Sequence, residues 1–302
     1  MKVGVIGTGN MGENHVRTYL SLQDKCQLIG IYDNDKERAQ KIAKKYNVKQ
    51  FHSMSDLLKA IDAASIAVPT EFHYEIGVNC VNHKVHMLME KPITSTVAQA
   101  ENLLDKANNA GVKLQVGHIE LFNPFIQYLG KELADQTIIG IEFHRMSPFD
   151  ERMKHVDVVN DLMIHDIYIL QKLLDDKDLD FCAMGKTVEK TPEHAVVISR
   201  SKQGIIAQLT ASFKSKSKVR TIQVVTEDAF IEADILERKI KKTGSGMVQM
   251  IEIDETVQPL HAQLLDFIDC IQFNRTPTVS GEDGIKALQI TNKISDIIRK
   301  MD

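Results

Sequence analysis

Short apolar runs alternate with amphipathic stretches along the first 118 residues of the chain. The runs 3–6, 27–32, 65–68, 85–89 and 114–116 are brief, rich in Val and Ile, and bounded by turn residues, which predicts buried strands. Between them, 10–21, 35–46, 72–82 and 97–109 carry apolar positions at helical spacing. Strand, helix, strand in repetition predicts a parallel sheet covered by helices on both faces, because parallel neighbours need long, right-handed connections.

Beyond residue 118 the period changes. Helices are predicted at 123–134 and 158–174, and strands at 138–145, 195–199, 205–211, 221–226, 229–234 and 248–253. That pattern predicts an α+β domain with a large open, mostly antiparallel sheet and helices on one side. Two helices close the chain. Ser280, followed three residues later by Asp283, predicts the capping box of the last one, whose apolar stripe is Ile285, Leu288, Ile294 and Ile298. We therefore expect two domains: residues 1–119 as a doubly wound Rossmann domain, and residues 120–302 as a domain for substrate binding and oligomerisation. Helices sufficient for one sheet face only leave the other for a partner subunit.

Composition narrows the class. Of 302 residues, 43% are hydrophobic and 26% charged, as in an ordinary folded protein. The 37 basic and 41 acidic residues leave no basic excess for nucleic acid, and no apolar run reaches membrane-spanning length. Cys26, Cys80, Cys182 and Cys270 lack C-x-x-C spacing and are expected as buried free thiols in a reducing cytoplasm.

Gly7-Thr8-Gly9-Asn10-Met11-Gly12 follows the first strand and opens the first helix. In that context the glycines fit a dinucleotide fingerprint: the first permits the turn, the second admits a pyrophosphate, and the third lets helix pack on strand. The helix N-terminus offers N–H groups to the phosphates. Asp33, at the end of the second strand, is expected to accept hydrogen bonds from the adenosine ribose and so to favour NAD, while Arg38 and Lys36 could admit NADP. Asn34 lies beside it.

Two clusters suggest chemistry. Glu90-Lys91-Pro92 follows a strand directly, which puts Lys91 at the carboxyl edge of the sheet, where ligands of open α/β sheets bind. Its ammonium can stabilise negative charge developing on a substrate oxygen; the alternative is a solvated loop lysine. Asp161 and His165 are four apart and share a helical face, so the carboxylate can orient an imidazole that accepts a hydroxyl proton. Asp166 lies further round and is expected to cap, to form a salt bridge or to make a secondary substrate contact. A metal site is not expected. An Asp–His pair that only packs is the alternative.

Together these residues resemble the Gfo/Idh/MocA oxidoreductase family. The resemblance rests on the Gly7–Gly12 fingerprint, Ala67-Val68-Pro69-Thr70 with His73, Glu90-Lys91-Pro92, Gly117-His118, the Asp161/His165 pair and Ser280-Gly281-Glu282-Asp283-Gly284. It implies NAD(P)-dependent oxidation or reduction of sugars, cyclitols and nucleotide sugars, and dimers or tetramers built through the open sheet. It also implies Lys91, Asp161 and His165 as the catalytic set, with Val68, Thr70, His73, Glu90 and Lys91 on the nicotinamide side. Within the family, 117–124 and 161–167, with Arg145-Met146-Ser147-Pro148-Phe149 and Arg152, resemble the UDP-N-acetylglucosamine 3-dehydrogenase-like branch. His118, Glu120, Asn123, Arg145 and Arg152 would then meet substrate. The branch carries an arginine where this chain has Leu121, so Arg145, Arg152 and Lys154 would have to supply any charge for a diphosphate. The alternatives are reduction of a cyclic imine, enone or tetrapyrrole-like acceptor, and a non-catalytic NAD-binding regulator.

Overall fold

The computed structural model describes residues 1–151, 154–174, 180–253 and 258–301. It contains two compact units: Met1–Ile119 with Gln258–Lys286, and Glu120–Val257 with Ala287–Asp302.

The first unit carries strands β1 (Lys2–Ile6), β2 (Gln27–Tyr32), β3 (Ala63–Ile66), β4 (His86–Met89) and β5 (Leu114–Val116). Its helices are α1 (Asn10–Ser21), α2 (Lys36–Tyr46), α3 (Met54–Leu58), α4 (His73–Asn82) and α5 (Val97–Ala110). The five strands run parallel in the order β2-β1-β3-β4-β5, so the order reverses between β1 and β3 and leaves a crevice at their carboxyl ends. Local chemistry sets the helix ends. The Asp35 carboxylate accepts the Arg38 backbone N–H at 2.9 Å, and Thr96 accepts that of Gln99 at 3.2 Å, each satisfying a first-turn donor.

Two expectations for this unit are corrected. Strand β3 starts and ends two residues earlier than the apolar run suggested, because small Ala63 and Ala64 are fully buried, and Val68-Pro69 emerge past the strand at the edge of the sheet. The segment placed in the second domain, 258–286, packs here instead. Helix α8 (Pro259–Gln272) buries Leu264, Phe267 and Ile268 in one core with Val3, Val5, Val16 and Tyr19. An apolar helical stripe announces that it will be buried and leaves open against which core.

The second unit is an eight-stranded sheet in the order β13-β12-β11-β10-β6-β9-β8-β7. Its strands are β6 (Ile138–Met146), β7 (Asp180–Val188), β8 (Thr191–Arg200), β9 (Ile206–Ser212), β10 (Val219–Thr226), β11 (Ala229–Asp234), β12 (Lys239–Gly244) and β13 (Met247–Glu252). The central pair β6–β9 is parallel and the other pairings are antiparallel. One face packs on α6 (Pro124–Leu133), α7 (Ile164–Leu174) and the later turns of α9 (Gly281–Arg299), with Ile141, Phe143, Leu129, Ile167, Ile294 and Ile298 in a shared core. The capping box is present: the Ser280 hydroxyl accepts the Asp283 N–H at 3.2 Å and Asp283 accepts the Ser280 N–H at 3.0 Å.

Strands β7 and β12 escape the sequence pattern. Strand β7 is an edge strand containing Gly185 and Lys186, and β12 reads Lys-Ile-Lys-Lys-Thr-Gly. A strand with one open face needs few apolar residues. Cys182, expected to be buried, is exposed on β7, whereas Cys26, Cys80 and Cys270 are buried free thiols.

Candidate active site

In the first unit, a cleft of about 580 Å³ opens at the carboxyl ends of the strands. Gly7, Gly9, Asn10, Met11, Asp33, Asn34, Arg38, Ala67, Val68 and Pro69 line it, together with Ile6, Tyr32, Met54, Phe72, Glu75 and Ile76, which the motifs do not single out. The glycines divide their tasks. Gly7 has φ +89°, and a Cβ there would lie 2.4 Å from the Ala67 carbonyl oxygen; at Gly12 it would lie 1.9 Å from that of Gly7. At Gly9 a Cβ would meet nothing within 4 Å, and no side chain caps the start of α1. The helix thus presents its first N–H groups to open space, the arrangement that receives phosphate. The cleft fits a dinucleotide.

Thr8 and Gly12 are buried and support this turn from behind. Asp33 differs from expectation in its surroundings. Its Oδ2 accepts from Thr8 N (2.6 Å), Thr8 Oγ (2.8 Å) and Arg38 Nε (3.2 Å), and its Oδ1 from Asp35 N (2.9 Å) and Arg38 Nη2 (2.9 Å). Burial works to raise the Asp33 carboxyl pKa, and the hydrogen bonds from Arg38, Asp35 and Thr8 outweigh it and hold it below the usual range. Arg38 offsets the charge that would repel a 2′-phosphate.

At the next edge of the sheet, Lys91 is half-buried after β4, and Thr70 opens the short turn Thr70–Phe72. His73, expected to line the nicotinamide side, is buried. Its Nδ1 lies 2.9 Å from the Pro92 carbonyl oxygen and its Nε2 3.0 Å from that of Val68, so the ring ties the loop after β3 to the loop after β4. His118, expected to meet substrate, is also buried. Burial first, and then the Lys91 charge, push its pKa down to about 3. Glu90 is half-buried and bonded to His15, a residue the sequence reading missed.

In the second unit, residues 157–171 form a buried turn and helix from which only Asn160, Asp161 and His165 are partly exposed. The expected helix opens instead with a π-helical turn, Val159–Met163, before α7. Such wider turns are short and recur at functional sites. Its ends are held. The Asp157 carboxylate accepts Val159 N–H at 2.9 Å and pairs with Arg299 at 2.7 Å. Asp166 pairs with Arg145 at 2.8 Å, the salt bridge expected as one of its roles.

Arg145 is therefore no free cation for substrate. It is 3% exposed on β6 and also donates to Glu120 Oε1 at 3.0 Å. Burial opposes its charge, and the Asp166 and Glu120 carboxylates more than restore it, raising its pKa. Asn123 donates to Glu120 Oε2 and caps α6 by accepting Phe125 N–H at 3.1 Å. Glu120, Asn123 and Arg145, all expected to meet substrate, thus satisfy one another. Arg152 lies outside the described residues, Lys154 is exposed beside Glu189, and Leu121 packs on the core. Arg220, on the strand next to Arg145, is a further cation the sequence did not mark; it donates to the Met146 carbonyl at 2.6 Å and to Ser147 Oγ at 3.1 Å.

Comparison with known proteins places these sites in context. The Gfo/Idh/MocA profile, described as an oxidoreductase family with an NAD-binding Rossmann fold, matches residues 1–118. UDP-N-acetylglucosamine 3-dehydrogenase of Acidithiobacillus ferrooxidans is 31% identical, over 95% of this chain and 94% of its own. Its solved structure superposes with a TM-score of 0.93 at 28% identity, covering 99% of this chain and 98% of that one. Myo-inositol 2-dehydrogenase of Thermotoga maritima is 24% identical over 95% of this chain and 93% of its own.

Proposed function

Because the chain belongs to the Gfo/Idh/MocA family of NAD-binding oxidoreductases, we propose that it moves hydride between nicotinamide and a secondary alcohol of a sugar, cyclitol or nucleotide sugar. The observation that carries the reading is the open, uncapped glycine turn of α1, with Lys91 on the same carboxyl edge of the sheet. The names of the two relatives support the substrate class. A nucleotide sugar would find its cations outside Arg145, whose charge is already matched.

Bound coenzyme supplies the hydride acceptor. Gly9, Asn10 and Met11 bind its phosphates through backbone N–H groups, and Asn34 and Arg38 face its adenosine end. NAD is the coenzyme of the family, and the Arg38–Asp33 pair leaves NADP admissible. In the oxidative direction, His165 removes the hydroxyl proton, Asp161 orients the imidazole, and Lys91 stabilises the alkoxide oxygen.

This reading places the protein in the cytoplasm, where its buried thiols stay reduced. No helix among the described residues is long and apolar enough to cross a membrane. It also makes the chain a homodimer or homotetramer joined through the uncovered face of the second sheet.

The test is a screen of UDP-N-acetylglucosamine, myo-inositol and related polyols with NAD, followed by absorbance of the reduced coenzyme. Turnover is expected with at least one of them. Lys91→Ala and His165→Ala should each lower it by roughly 10²–10⁴-fold, with NADH affinity little changed in the His165 variant. Full turnover by His165→Ala would remove the base assignment.

A further inference from the structure

His15 lies on α1, one turn beyond the N–H groups that face the cleft, and it is 0% exposed. Its Nε2 is 3.1 Å from Glu90 Oε1. A carboxylate oxygen accepts, so in this pair the imidazole N–H donates. The other ring nitrogen, Nδ1, is buried with no hydrogen-bond partner among the described residues.

Glu90 is confined from the other side as well. It is the first residue past β4, with its backbone N–H bonded to the Ile66 carbonyl at 3.0 Å. A Cβ at position 117 would lie 2.9 Å from Glu90 Oε1, so only glycine lets the carboxylate lie flat against the chain after β5. The sheet order places this edge beyond the β1/β3 switch, on the side away from Asp33 and Arg38. A dinucleotide laid across that switch with its adenosine end at Asp33 has its nicotinamide end toward β4.

We propose that His15 is a positioning residue for the coenzyme. It fixes the Glu90 carboxylate so that the remaining oxygen, Oε2, accepts a hydrogen bond from the nicotinamide carboxamide, and it couples this contact to the helix that receives the phosphates. The inference rests on the reading of this cleft as the coenzyme site. No charge or proton moves in the step; the residues only bind and orient.

Calorimetric titration of the full chain with NADH and with ADP-ribose, which shares the adenosine and diphosphate but lacks nicotinamide, tests it. His15→Ala should weaken NADH about tenfold and leave ADP-ribose within about twofold. His15→Gln, whose amide nitrogen can occupy the Nε2 position, should recover most of the NADH affinity, whereas His15→Met, of similar size but without a donor, should not. Should the alanine variant fail to fold, the Gln and Met pair carries the comparison. Equal weakening of both ligands, or recovery by Met as good as by Gln, would assign His15 to packing alone. Glu90→Ala separates the two levels. Loss of NADH affinity there, with none in the His15 variants, overturns the positioning role only. Failure of the wild-type chain to bind either ligand overturns the coenzyme reading itself.

Discussion

Burial gives His118, the residue after Gly117, a pH signature of its own. In the unfolded chain an imidazole titrates near 6.5, roughly, whereas in the fold His118 titrates at about 3. Between those values the unfolded state binds one proton more than the native state, so this group's contribution to stability falls as pH falls. The loss is about 1.4 kcal/mol per pH unit below 6.5 until the native value is reached. Denaturant midpoints measured from pH 7 to 5 should show this slope in the wild type and a shallower one in His118→Gln; parallel curves would count against it. At the same scale, Asp33, Arg38 and His15 illustrate what residue identity alone conceals. Spacing marks Asp33 as a ribose ligand, yet Thr8 and Arg38 already occupy its oxygens. His15 has no motif of its own, because its partner is 75 positions away in sequence.

The element that presents Asp161 and His165 is held by ion pairs at both ends, and the inner pair decides its stability. Arg145 is buried between Asp166 on α7 and Glu120 before α6, tying both elements to strand β6. Removing one partner of a buried pair leaves the others uncompensated in a medium that solvates charge poorly. Arg145→Met should therefore lower unfolding free energy by about 3–5 kcal/mol, read from urea denaturation. A change below about 1 kcal/mol would mean that the network is open to water. The π-helical turn before α7 belongs to this scale too. Apolar residues over 158–174 predict a helix and leave open whether one turn is wider, since a segment buried on nearly every side has no stripe for an extra residue to displace. Elements with strong periodicity, such as α1 and α5, are legible from sequence. Five-residue α3 and polar β12 are not, because neither buries enough to impose a pattern.

For the whole molecule, the uncovered face of the second sheet is the feature with the widest consequence. Phe230, Val225, Gly140 and Ile206 are successive cross-strand partners and so share one face, on which Ile198 and Met184 are also exposed. Rows of polar residues such as Glu142, Gln208 and Gln223 lie beside them. Association through this face would bury the apolar row and pair the polar ones. If the proposed dimer or tetramer forms here, Val225→Lys combined with Ile206→Lys should shift sedimentation to the monomer; a wild-type monomer at micromolar concentration would remove the assembly. The sequence alone determined the two-part architecture, the glycine turn and the capped last helix, because turns, periodicity and motifs are written in near neighbours. Tertiary structure alone decided that segment 258–286 joins the first core, that Arg145 and Asn123 serve Glu120 and the α6 cap, and that His15 stands behind Glu90. Those pairings depend on which distant surfaces meet, and burial and charge compensation are properties of the meeting and not of either segment by itself.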